Sequence, residues 1–237
     1  METSTIDKIK KKASRLFENQ LLLSGSVLEV RKWEPCTMIE IDLHLPFADI
    51  AQWTDVPYIK IKVNDFTYRD YTPSCWDAET RTCSLFIDAA HKGPGSEWAQ
   101  QLKKGDAINY LKIKPTHQAP VGTPAIIALG DESSLGHLLA LQQMVLPATR
   151  FSGAILMADE QHRGLFREYF RSPLQAIARN DIYGHHSLIQ WVIEQQYTLD
   201  NTVFYVTGND TMVIQLRKML RQQGYASGQI KAQGFWS

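Results

Sequence analysis

The sequence predicts a β + α/β protein: an antiparallel six-stranded barrel followed by a parallel-sheet α/β unit. Three observations predict it. Apolar residues recur with period two from Leu22 to Ile113, as in short half-buried strands. The stretch Lys114–Pro124 then carries three prolines and a glycine, a linker composition. Beyond it, continuous apolar runs alternate with segments of helical period, the pattern of parallel strands joined by helices. At 237 residues and 44% hydrophobic content, the chain is long and apolar enough for two cores.

Residues 1–20 read as a helix, because Ile6, Ile9, Ala13, Leu16 and Phe17 are spaced by threes and fours among lysines. Six strands follow in the barrel, 21–118: Ser26–Trp33, Met38–Leu45, Tyr58–Val63, Thr67–Thr72, Thr82–Ile87 and Asp106–Ile113. Ser96 reads as the N-cap of a short helix reaching Lys103, which caps one barrel end. In the α/β unit, 119–237, Pro124–Leu129 is a buried strand and Asp131–Met144 a helix. Ser152–Ala158, Leu174–Ala178, Thr202–Thr207 and Gln229–Ala232 supply further strands. Helices are expected at His162–Phe170, His185–Gln196 and Asp210–Gln223, the last terminated by Gly224.

Composition removes several function classes. Lysine plus arginine equal aspartate plus glutamate at 25 each, so the chain lacks the basic field of a nucleic-acid binder. No apolar run approaches the ~20 residues of a membrane helix, and the polar, lysine-rich start is unlike a signal peptide. A cytoplasmic protein is expected. Cys36, Cys75 and Cys83 lack metal-ligand spacing and suit free thiols in a reducing compartment; they are too few for an iron–sulfur cluster. The histidines, at 44, 91, 117, 137, 162, 185 and 186, form no ligand pattern, and the adjacent His185 and His186 diverge on a helix. No metal is expected. Nucleophile elbow, zinc-protease motif and phosphate-binding P-loop are all missing, so hydrolysis and phosphoryl transfer have no support.

Two motifs a strand apart carry the chemistry. On a strand, Arg69 and Tyr71 share a face with Thr72 beside them. Arginine forks onto phosphate oxygens, tyrosine lies flat on a ring, and threonine hydrogen-bonds a ring edge. The turn Gly93-Pro94-Gly95-Ser96, followed by Trp98, brings a helix start whose free N–H groups attract anions. A diphosphate joined to a flat ring system satisfies both motifs, and FAD is such a ligand. Farther on, Leu129-Gly130-Asp131 and Thr207-Gly208-Asn209 are strand–glycine–helix junctions, where open parallel sheets bind ligands. A full Gly-x-Gly-x-x-Gly fingerprint is missing. Phe235-Trp236 is a candidate aromatic lid.

Arg69-x-Tyr71-Thr72, Gly93-Pro94-Gly95-Ser96-x-Trp98-Ala99, Gly105-Asp106, Leu129-Gly130-Asp131-Glu132-Ser133-Ser134 and Gly234-Phe235-Trp236 together resemble the siderophore-interacting proteins, a branch of the ferredoxin-reductase-like flavoproteins. The resemblance runs from about residue 20 to the C-terminus. It implies that Arg69, Tyr71, Thr72, Gly93, Pro94, Gly95, Ser96, Trp98, Asp131, Glu132, Ser133 and Trp236 bind FAD. It implies an electron donor, NAD(P)H or a ferredoxin, near Gly130 and Ser134, and the strand-end position adds Thr207 and Gly208 as donor-site candidates. The substrate implied is a ferric siderophore, reduced to release Fe(II), with the flavin and no acid/base side chain carrying the reaction. Lys60, Lys62, Lys112 and Lys114 are candidates to line the entrance for an anionic chelate. The sequence departs from the family at Ser74, where an arginine is usual, and near Lys112–Pro115, where a Gly-Pro is usual. Two other readings share these residues: a general NAD(P)H-dependent flavin or protein reductase, and a siderophore-binding module without catalysis.

Overall fold

A computed structural model describes residues 21–180 and 185–236. The helix expected over 1–20 lies outside these residues. Two sheets organise the rest. The first is antiparallel: β1 (Leu23–Trp33), β2 (Met38–His44), β3 (Pro57–Asn64), β4 (Thr67–Tyr71), β5 (Ser74–Asp77), β6 (Thr82–Asp88) and β7 (Ala107–Tyr110) run in the order β4-β3-β7-β1-β2-β6-β5. A two-residue strand, β8 (Lys114–Pro115), pairs with β3. The two edge strands, β4 and β5, are consecutive in the chain and separated only by Thr72-Pro73. The sheet therefore curls until its edges meet at that dipeptide, and its inner face closes on one core. Val27, Ile39, Ile41, Ile59, Ile61, Leu85, Ile108 and Tyr110 come from five different strands and are at most 4% exposed within that core. β5 was not among the expected strands, because Ser74 and Asp77 pair with β6 around an irregularity that breaks the period of two.

Helix α1 (Pro94–Gln101) lies between β6 and β7. Its N-cap is Gly93, with Pro94 in the first turn and Glu97 N–H donating to the Gly93 carbonyl at 2.9 Å. Ser96 is thus inside the helix and not its cap. Proline lacks the N–H that a helix start leaves unpaired, so it sets the boundary earlier than serine would.

The second sheet is parallel throughout, in the order β11-β10-β9-β12-β13: β9 (Ala125–Asp131), β10 (Arg150–Met157), β11 (Leu174–Ala178), β12 (Thr202–Asn209) and β13 (Ile230–Trp236). Its helices are α2 (Leu135–Met144), α3 (Glu160–Tyr169), α4 (His185–Gln195) and α5 (Asp210–Gln222). Strand alternation splits the apolar runs between two faces. Ile126, Ala128, Ile155, Met157 and Tyr205 pack with α2 and Phe166 of α3. Ile127, Leu129, Ala154, Leu156, Phe204 and Val206 pack under α4 and α5. The first face also takes in Trp33, Met38, Val56 and Phe86 from the barrel, so one apolar core runs through the seam between the sheets. Gln143 of α2 donates to the Trp76 carbonyl at 2.7 Å and accepts from its N–H at 3.1 Å. The linker is pinned too: Tyr205 O–H donates to the Ala119 carbonyl at 2.6 Å and accepts from Val121 N–H at 3.1 Å. No helix among the described residues is long and apolar enough to cross a membrane.

β13 extends beyond the expected Gln229–Ala232. It carries Gly234, Phe235 and Trp236 along β12, with Gly208 opposite Gly234 and Asn209 opposite Trp236. The C-terminal aromatic pair is therefore held by a sheet edge.

Candidate functional site

Sheet order reverses between β9 and β12, whose next strands lie on opposite sides. Open α/β sheets bind ligands beyond the carboxyl ends of strands at such a point. Both glycine junctions end there, and they grip each other. Asp131 is 3% exposed. One oxygen, Oδ1, accepts from Ser133 N–H at 3.1 Å, Ser133 Oγ–H at 2.5 Å and Ser134 Oγ–H at 3.3 Å. The other, Oδ2, accepts from Asn209 N–H at 2.9 Å. Burial pushes the Asp131 carboxyl above its usual range, opposed by those donors from Ser133 and Asn209. Gly208 has φ +127°, and a Cβ there would stand 2.6 Å from Asp131 Oδ1. A Cβ on Gly130 would stand 2.7 Å from the Ser134 Cβ. Thr207 and Ser134 are fully buried beside them.

Glu132 turns the other way. It accepts from Ala158 N–H at 2.7 Å and from Arg179 at 3.0 Å, tying together the ends of β9, β10 and β11. Burial raises its carboxyl as well, while the Ala158 bond and Arg179 pull it back.

On the barrel side, the aromatic ring of Tyr71 stacks on Trp98 of α1, centroids 5.7 Å apart at 20°. Burial pushes its phenol up, against the pull of Arg69. A Cβ on Gly95 would lie 2.7 Å from the Tyr71 hydroxyl and 3.3 Å from Arg69 Cγ, so only glycine lets α1 close onto this strand. Gly93 has open space around it. The Arg69 guanidinium is exposed and donates to the Tyr68 carbonyl at 2.8 Å. Ser74 is fully buried, and its hydroxyl donates to the Ser84 carbonyl at 3.2 Å. The position where the family carries arginine thus points into the fold.

These two halves face one cleft of about 520 Å³ between the sheets. Tyr71, Thr72, Phe86 and Asp88 line it from the barrel, Ser133, Gly136 and His137 from β9–α2, and Gly234 and Phe235 from β13. A Cβ on Gly136 would stand 3.0 Å from the Thr72 carbonyl, so α2 seats directly on the barrel motif. Trp236 closes one side: its indole N–H donates to Ser133 Oγ at 3.0 Å, and its ring lies 5.0 Å from His91, just before α1. Of the residues singled out in the sequence, Tyr71, Thr72, Ser133 and Phe235 line the cleft. Trp236, Arg69 and the start of α1 adjoin it through Ser133 and Tyr71. Asp131, Gly130, Ser134, Thr207 and Gly208 form the clasp behind it. Lys60 pairs with Asp70 at 2.6 Å and Lys62 with Asp65 at 3.9 Å on the outer strand face. Lys112 and Lys114 line a different depression, with Trp53 and Phe47.

Sequence reading did not single out His137, Gln118 or Asp88 for this site. His137 had one visible signal, as the sole polar side chain in the run Leu135–Leu141. It is 1% exposed, and its Nε2 lies 2.7 Å from Gln118 Oε1. Burial pulls its pKa from 6.5 down to about 3, so the ring is neutral. The unfolded chain then binds a proton that the folded one refuses between those values. Stability is full above pH 6.5 and falls as pH drops through the window. Relative to a His137→Phe variant, wild type should lose about 2 kcal/mol between pH 7 and pH 5, measured by urea denaturation of the flavin-free protein.

The cleft suits a flavin: its volume falls within the ~300–1,000 Å³ of small-molecule sites, the rings of Tyr58, Tyr71, Phe86 and Phe235 line it, and the buried His137 Nδ1 has no partner. Known proteins agree on the framework. Residues 123–237 match the siderophore-interacting protein family. The siderophore-interacting protein of Acinetobacter baumannii superposes with a TM-score of 0.74 at 13% identity, covering 91% of this chain and 90% of that one. SipS of Aeromonas hydrophila gives 0.71 at 14%, covering 91% of each. A ferredoxin NADP⁺ reductase from Neisseria gonorrhoeae, solved with bound FAD and NADP, gives 0.67 at 14%, covering 92% of this chain and 98% of that one. The C-terminal part of the chain, residues 123–237, thus matches the siderophore-interacting protein family, and the chain as a whole has the ferredoxin-reductase-like fold.

Proposed function

We propose that this protein is an FAD-dependent oxidoreductase that reduces ferric siderophores and releases Fe(II). The observation that carries the reading is the convergence of Tyr71-Thr72, Ser133 and Phe235 on one cleft between a barrel and a parallel sheet. A flavin held there would supply the coupling between a two-electron donor and the one-electron reduction of Fe(III). The chain's own residues bind and orient. Arg69 and the α1 N-terminus hold the diphosphate, where a cation and free amides meet the anion. Thr72 and Ser133 offer hydroxyls to the ring edge. Trp236, fixed on Ser133, and Phe235 cover the site and exclude water. No side chain needs to move a proton to the iron. Fe(II) is bound less tightly than Fe(III) by hard oxygen ligands, so reduction frees it.

NAD(P)H or a ferredoxin serves as donor from the carboxyl ends of β9 and β12. Lys60, Lys62, Lys112 and Lys114 are proposed to draw in anionic chelates, and a cytoplasmic location fits a reductant-fed reaction.

The test is spectroscopic. Purified protein should show flavin absorbance that bleaches anaerobically with NADPH, NADH or reduced ferredoxin. A ferric siderophore should then restore the colour while an Fe(II) chelator reports released iron. Reoxidation by free flavin or a protein acceptor, with none by ferric chelates, would assign a general reductase instead. Siderophore binding without any flavin would assign a binding module.

A further inference from the structure

His137 stands in the first turn of α2, on the wall of the cleft, with its ring 5.5 Å from that of Phe235. Its two nitrogens are in different situations. Nε2 faces Gln118 Oε1 at 2.7 Å. A carboxamide oxygen only accepts, so Nε2 carries the hydrogen. In a neutral imidazole Nδ1 then carries a lone pair and nothing else. That atom is buried and has no hydrogen-bond partner in the protein. Buried acceptors are seldom left bare, because losing water without gaining a partner costs stability. This one belongs to a residue that lines the cleft, and Gln118, itself 7% exposed, fixes which nitrogen is bare. Gln118 is in turn anchored by its main chain, where Val56 N–H donates to its carbonyl at 3.2 Å.

An acceptor-only atom selects its ligand by what that ligand donates. The oxidised isoalloxazine ring has a single N–H, the imide at N3, between two carbonyls. N1, N5 and the two carbonyl oxygens only accept, and N10 is substituted and does neither. We propose that Nδ1 of His137 accepts the N3–H of the bound flavin, making His137 a cofactor-binding residue that orients the pyrimidine edge toward α2. The inference rests on the flavin reading above. Desolvation supports it by keeping the ring uncharged, since an imidazolium would present a second donor there. Gln118 acts through His137, as a positioning residue that sets the tautomer.

A flavin that lacks the N3 hydrogen tests this. The full chain, stripped of cofactor, is titrated with FAD and with 3-methyl-FAD, followed by flavin fluorescence. Wild type should bind 3-methyl-FAD about tenfold more weakly, the value of one buried hydrogen bond. His137→Ala should bind FAD as weakly as wild type binds the methylated form, and prefer neither by more than about twofold. Equal binding of both by wild type overturns the proposal and leaves the flavin reading intact. A preference for FAD that survives in His137→Ala also overturns it, since His137 would then be supporting the fold only. Should the alanine variant not fold, His137→Phe takes its place, and the wild-type comparison stands without either. No binding of FAD at all would remove the flavin reading itself.

Discussion

Gly208→Ala should cost the protein about 3 kcal/mol or more, seen as a thermal midpoint lowered by roughly 6–12 °C. Two terms add. The backbone at φ +127° is one that side-chain-bearing residues rarely adopt. The new methyl would also stand 2.6 Å from Asp131 Oδ1 and 2.7 Å from its Cγ. The carboxylate cannot swing aside cheaply, because Ser133, Ser134 and Asn209 all donate to it. Displacing it strands buried donors on both junctions. Gly164→Ala is the control of opposite sign. It lies inside α3 with open space around it, and should stabilise by about 0.5–1 kcal/mol. Two glycine-to-alanine changes moving the midpoint in opposite directions would establish that the clasp, not glycine content, holds these junctions. A Gly208→Ala protein that melts with wild type would sink that account.

Arg69→Ala should weaken FAD about 10- to 100-fold and leave riboflavin binding within about twofold. The guanidinium is exposed at the edge of the site, and its stem lies over Gly95 at the start of α1. On the proposed reading it would meet the phosphate part of a dinucleotide and not the ring, which would lie beside Tyr71 and Thr72 on the wall of the cleft. The usual second arginine is replaced by a buried serine whose hydroxyl is turned to the Ser84 carbonyl. The Arg69 effect on FAD should shrink as salt rises, because an exposed pair is screened. Equal losses for FAD and riboflavin would mean that Arg69 braces Tyr71 and does not bind phosphate.

Much of the framework was legible along the chain because period is a local property. The alternation in Met38–Leu45 and Tyr58–Val63 reports a sheet with one face inside, and Pro124–Leu129 reports one buried on both. Where geometry broke the period, the reading slipped. β5 has an irregular register against β6, β13 continues through Gly234, and α1 starts at Pro94 where Ser96 looked like the cap. The motifs were visible as residue types, but their duties were not. Glycines that suggest close approach to a ligand also serve close approach of protein to protein: Gly95 to Tyr71, Gly208 to Asp131.

By itself, then, the sequence determined the two sheets, their order along the chain, and the aromatic, hydroxyl and cationic groups that a flavin requires. Only the tertiary structure decided which of them share a cleft, that Asp131 is tied into the clasp and Glu132 to Arg179, and that His137, on the cleft wall, keeps a buried Nδ1 without a protein partner. The reason is physical. Secondary structure follows from neighbours a few residues apart, whereas the hydrogen bonds between Trp236 and Ser133 and between His137 and Gln118 join residues far apart in the chain that only the packed tertiary fold brings together.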